Sequence, residues 1–162
     1  MVNQHELSDE QSVDIIELIA KNEDTLSRLY RLYANQLPEY REFWERLSDD
    51  EMRHKEWVLE LIETHAQGLL EINTRRANPE LYETYLHFLE GLIQHAEKRP
   101  VTAIEAFANA AQAEHTYIER SLLAVVSTDS EGVQRVLEAL GHSTERHAEV
   151  IDRELARVRA KS

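Results

Sequence analysis

Glu51 and His54 stand three residues apart in the stretch DDEMRHKEWVLEL, residues 49–61. On an α-helix, residues three apart share a face, so this carboxylate and imidazole could reach one cation. Carboxylate oxygen and imidazole nitrogen are the donors that first-row transition metals accept. The spacing alone decides nothing. About one E-x-x-H match is expected by chance in a chain this rich in Glu and His, and one is found. The informative question is where such polar residues fall on their helices.

The helices are read from apolar periodicity. Ser8 offers an N-cap to a helical pattern over about 9–37, with Ile16, Ile19, Ala20, Leu26, Tyr30, Tyr33 and Leu37 on one stripe. Pro38 stops it and opens a second helix over about 39–67, striped by Tyr40, Phe43, Trp44, Leu47, Val58 and Leu61. Gly68 and NTRRANP (73–79) mark a break. A shorter amphipathic helix follows over about 80–98, with Leu81, Tyr85, Phe88, Leu89 and Leu92. Thr102 caps a helix over about 102–126, carrying Ile104, Phe107, Ala111, Ile118, Leu122 and Val125. After the turn STDSEG (127–132), a last helix spans about 130–160, with Val133, Val136, Leu140, Ile151, Leu155 and Val158.

Each long stripe is broken near its middle by a polar residue: Glu23 on the first helix, Glu51 and His54 on the second, Glu114 on the next, and Thr144 and His147 on the last. An unpaired carboxylate in an apolar core costs several kcal/mol or loses its charge. Three Glu and two His converging at one height make little sense as packing, and they make sense as ligands of a metal. The other histidines, His5, His65, His87, His95, His115 and His142, read as surface or rim residues. Trp44 and Trp57 read as core or interface aromatics, and Tyr30 as a core tyrosine whose hydroxyl could also reach a metal-bound carboxylate.

Composition bounds the rest. The 162 residues suffice for one domain, read as 1–162 without an internal linker. The formal net charge is -13, from 31 acidic and 18 basic residues, which argues against nucleic acid and anionic membrane as partners. There is no cysteine, so thiolate sites and iron–sulfur clusters are excluded. The polar start MVNQHELSDEQS is not a signal peptide, and the longest apolar run, LLAVV (122–126), is too short to span a bilayer. A cytoplasmic protein is the expectation. The fold class is all-α: four long helices in two pairs, with a short helix in the crossover connection.

The order Glu, E-x-x-H, Glu, His resembles that of carboxylate-bridged di-iron bundles. The chain resembles the ferritin-like superfamily, and within it the rubrerythrin-like branch, over about residues 9–158. The resemblance rests on KNEDTLSRLYRLYA (21–34) with Glu23 and Tyr30, EMRH (51–54), AEHTYIERSLLA (113–124) with Glu114, and TERH (144–147). RHKE (53–56) and RHAE (146–149) suggest a weak repeat of the two halves. The resemblance implies a ferritin-like four-helix bundle, oligomeric as a dimer or larger. It also implies a non-haem di-iron (or iron–manganese) oxidoreductase acting on Fe(II) with peroxide or dioxygen. Glu23 and His54 would hold one metal, Glu114 and His147 the other, and Glu51 would bridge.

Two departures stand out. Thr144 occupies the position where the family carries a second bridging glutamate, and no cysteine is present for a rubredoxin domain. Glu145 lies about 100° further round the helix. With His142, it is the first candidate to compensate. The other reading is a degenerate site holding one metal, such as zinc, or none, in a binding or assembly module.

Overall fold

The computed structural model describes the backbone of residues 4–116 and 124–162, and within them the side chains from residue 9 onward. The chain is almost entirely helical. In order it forms α1 (Gln4–Gln36), a 3-10 turn (Pro38–Tyr40), α2 (Arg41–Ala66), β1 (Glu71–Ile72), α3 (Pro79–Lys98), α4 (Ala103–His115), β2 (Val126–Ser127) and α5 (Glu131–Ala160). Among the described residues no helix is long and apolar enough to cross a membrane.

Local chemistry explains most boundaries. α2 ends where Gly68 takes φ 72, the left-handed region that glycine enters without strain. Its N–H donates to His65 O and that of Leu69 to Thr64 O, satisfying two carbonyls that the helix end leaves over. α4 begins with a reciprocal capping box between Thr102 and Glu105. The side chain of Ser130 accepts from Val133 N at the start of α5.

Two expected boundaries move. α1 begins at Gln4, so Ser8 lies inside the helix and is not its N-cap. The expected helix over 102–126 is described as α4 to His115, residues 124 and 125 are again helical, and the helical stretch stops one residue early, where Val126 enters β2. The reason is β-branching. Ile72 and Val126 pair across a two-residue antiparallel ladder, and Asn73 N donates to Val125 O at 2.8 Å. Ile118 and Leu122 of the expected stripe lie outside the described residues.

The core is continuous through the helices. Ile16, Ile19, Leu29, Tyr30 and Tyr33 of α1 are fully buried, as are Trp44 and Val58 of α2, Leu89 of α3, Phe107 of α4 and Ile151 of α5. Leu81, expected to face inward, is 41% exposed, and its neighbour Tyr82 takes the buried position. α1 packs along both α2 and α3, and α4 along α5. Ser27 and Ser48 let α1 and α2 approach closely: each hydroxyl lies 2.9 Å from the other residue's carbonyl oxygen. Asn22 Nδ2 donates to Tyr82 O, joining α1 to α3, and Tyr85 Oη donates to Ala113 O, joining α3 to α4. Gln36 clamps the far end, donating to Ala96 O and accepting from Val101 N. These contacts hold four helices, α1, α2, α4 and α5, around one polar cluster.

Candidate metal centre

Each of those four helices places charged or ionisable side chains in the cluster, all of them buried: Glu23 from α1, Glu51 and His54 from α2, Glu114 from α4 and His147 from α5. Glu51 is central. Its Oε2 accepts from His54 Nδ1 at 2.9 Å, and its Oε1 lies 2.8 Å from His147 Nδ1. Glu23 flanks the first imidazole, 3.9 Å from His54 Nδ1, and Glu114 flanks the second, 3.7 Å from His147 Nδ1. The two imidazoles stack, with ring centroids 5.3 Å apart. Glu51, His54 and His147 each offer a ligand atom within 4.8 Å of the others.

The two sides of Glu51 are not equivalent. His54 Nδ1 and Glu51 Oε2 share a hydrogen bond, so that nitrogen carries a proton. His147 differs, because its Nε2 lies 3.1 Å from Asp50 Oδ2 and donates to it. In the neutral ring, Nδ1 then holds a lone pair. Neither Nδ1 nor the facing Glu51 Oε1 has a hydrogen-bond partner, although they are 2.8 Å apart. Two acceptors at that separation repel, and only a cation relieves them, either a proton or a metal ion.

Protonation energetics agree. Burial alone would push the Glu51 carboxyl up, but His147 and then His54 override it and hold the carboxyl well below the usual carboxylate range. Burial alone would lower His147, whereas Glu51 first and Glu114 next raise it. Tyr30 is raised by burial and by Glu114 and Glu51, so it stays a neutral donor. Its Oη donates to Glu114 Oε1 at 2.5 Å.

A small cavity of about 20 Å³ lies beside these carboxylates, lined among others by Asn22, Glu23, Glu51, Tyr85, Glu114 and Thr144. On another side a cleft of about 430 Å³ reaches His54 from the surface between Arg53, Trp57 and Arg146. The donor set, the orphaned atoms and this small polar space together fit a metal ion.

The chain matches no family model, no curated protein and no solved structure. The site therefore has to be read from its own geometry.

Sequence reasoning missed Asp50. It lies next to Glu51, off the inward run of α2, and its partner His147 is 97 positions away on α5, so no local pattern marks it. Asp50 also pairs with Arg53. The expected compensation for Thr144 does not occur. His142 and Glu145 are 82% and 53% exposed and sit 3.8 Å from each other, turned outward. Thr144 Oγ1 donates back to Leu140 O at 3.1 Å, within its own helix. Of the predicted rim histidines, His87, His95, His115 and His142 are exposed and His65 is half-buried, while the side chain of His5 lies outside the described residues. Trp44 is a core aromatic stacked on Phe107 with centroids 4.6 Å apart, and Trp57 is half-buried beside His54.

Proposed function

We propose that this chain is a metal-binding protein of the ferritin-like, rubrerythrin-like kind, a non-haem di-iron (or iron–manganese) oxidoreductase acting on Fe(II) with peroxide or dioxygen. One observation carries the reading: each oxygen of Glu51 faces a different imidazole nitrogen, at 2.9 and 2.8 Å. A carboxylate so placed would serve two ions, the proton on His54 Nδ1 leaving as metal binds. Glu23 with His54 would hold one, and Glu114 with His147 the other. Bound iron would supply the one-electron steps between Fe(II) and Fe(III), with peroxide or dioxygen as oxidant.

The chain's own residues do the rest. Asp50 keeps the proton of His147 on Nε2, so that the Nδ1 lone pair points to the centre. The same contact orients the ring. Tyr30 Oη donates to one oxygen of Glu114 and so positions that carboxylate. Leu26, buried, supplies an apolar wall to the small cavity beside the carboxylates. Three carboxylates stand against two divalent ions, so the loaded centre favours one further small ligand.

A second reading has its own observation. Thr144 supplies no carboxylate, and the three ligand atoms that approach one another most closely, on Glu51, His54 and His147, suffice for a single ion. Metal content per chain after anaerobic loading with Fe(II), followed by Mössbauer spectroscopy of the oxidised sample, separates the two. Two coupled ferric ions per chain support the dinuclear reading. One ion supports the mononuclear reading, and none sinks both.

A further inference from the structure

Asn22 is almost wholly buried on α1, one residue before Glu23, and it lines the small cavity beside the carboxylates. Its amide orientation is decided by chemistry. Nδ2 lies 3.2 Å from the carbonyl oxygen of Tyr82, which can only accept, so the nitrogen must face Tyr82. Oδ1, on the other side of the amide, has no hydrogen-bond partner among the described residues. A buried amide oxygen left unpaired is costly, and the usual remedy is a bound O–H donor. The cavity, about 20 Å³, has room for a ligand of one or two heavy atoms, since a single water needs about 10–15 Å³. The nearby carboxylates would repel an acceptor-only anion in the metal-free protein. A metal-bound ligand that keeps a proton would find its acceptor in Asn22.

We propose that Asn22 Oδ1 and the cavity it lines form a subsite for a small protic ligand of the metal centre, in the class of water or hydrogen peroxide, and that Asn22 sets a preference for ligands that can donate a hydrogen bond. Asn22 is a positioning residue. It carries no charge and acts through the proton of the ligand. The proposal rests on the metal-centre reading above, and it adds the chemical class of the exogenous ligand and the residue that selects it.

The test uses the full chain loaded with Co(II), whose absorption bands report added ligands. Hydroxylamine, with O–H and N–H donors, is compared with fluoride, an acceptor only. In Asn22→Leu the affinity for hydroxylamine is expected to fall about tenfold, the loss of one buried hydrogen bond, while fluoride binding changes less than about twofold. Asn22→Asp keeps an acceptor and should keep the preference for hydroxylamine. Parallel changes in both ligands, or no change in either, overturn the proposal. Metal content, measured alongside, separates this outcome from failure of the metal reading itself. If no Co(II) binds, the proposal falls together with the metal-centre reading; if Co(II) binds but Asn22→Leu does not fold, a crystal structure of the metal-free wild-type chain decides. An ordered water on Asn22 Oδ1 inside the cavity supports the subsite, and a dry oxygen there overturns it.

Discussion

Glu51 shows how much one residue can be asked to do. Its low carboxyl pKa and the raised value of His147 share a main cause, the 2.8 Å approach of the two buried groups, to which His54 adds on one side and Glu114 on the other. A proton relieves that approach, and a bound metal ion would do the same. Glu51→Gln removes the shared charge. It should lower metal content to at most one ion per chain, as read by elemental analysis after gel filtration. Asp50→Asn tests the support of His147. Loss of such a partner typically weakens metal binding by about 10–100-fold, which a competitive chelator titration measures. Thr144→Glu probes the opposite direction. A fourth carboxylate facing the cavity should tighten the weaker of two metal-binding steps by tenfold or more. An unchanged titration would mean that position 144 does not face the ions.

At the scale of elements, caps and tyrosines carry separable energies. Thr102→Ala removes one arm of the capping box that opens α4 and should cost about 1 kcal/mol in denaturant unfolding. Gly68→Ala meets nothing within 4 Å, so its cost comes only from the left-handed backbone, again about 1 kcal/mol. Tyr33 gives a pH signature. Burial pushes its hydroxyl up to about 12, against a small lowering by Asn109. The folded state therefore holds a proton that the unfolded chain releases near pH 10. The stability from this residue is complete below about pH 10 and is lost as pH rises through about 12, roughly 2–3 kcal/mol in all. Unfolding at about pH 11 should release tyrosinate absorbance, and Tyr33→Phe should shrink that release.

For the whole molecule, the buried polar cluster links the helix pairs to each other. α1 with α2 and α3, and α4 with α5, make the extensive contacts, whereas α2 and α5 meet sparsely. The polar cluster spans that sparse seam, through Glu51 and Asp50 on one side and His147 on the other. An ion there should stabilise the fold as any ligand of the native state does, by about 2.7 kcal/mol at a free concentration 100 times its Kd. Thermal unfolding with and without a chelator measures this. An unchanged Tm with stoichiometric metal present would argue against ligation by these residues. The net charge of -13 favours cations near the surface in general, and it confers no selectivity by itself.

Periodicity placed the helices, apart from two of their ends, and marked five of the buried polar residues. Apolar stripes repeat at 3.6 residues, and Glu23, Glu51, His54, Glu114 and His147 each interrupt one. Burial of a stripe is a property of a single helix, so a local pattern reports it. The short β1–β2 ladder was not legible, because two-residue strands carry no period and pair across 56 positions, from Glu71 to Ser127. Only the tertiary structure decided which intruders touch. It set the two oxygens of Glu51 against two different imidazoles, turned Thr144 back onto Leu140, and brought Asp50 of α2 to His147 of α5. It also left Asn22 Oδ1 without a partner beside the carboxylates. These facts depend on helix rotation and on rotamers chosen between elements far apart in the chain, which no pattern within one helix records.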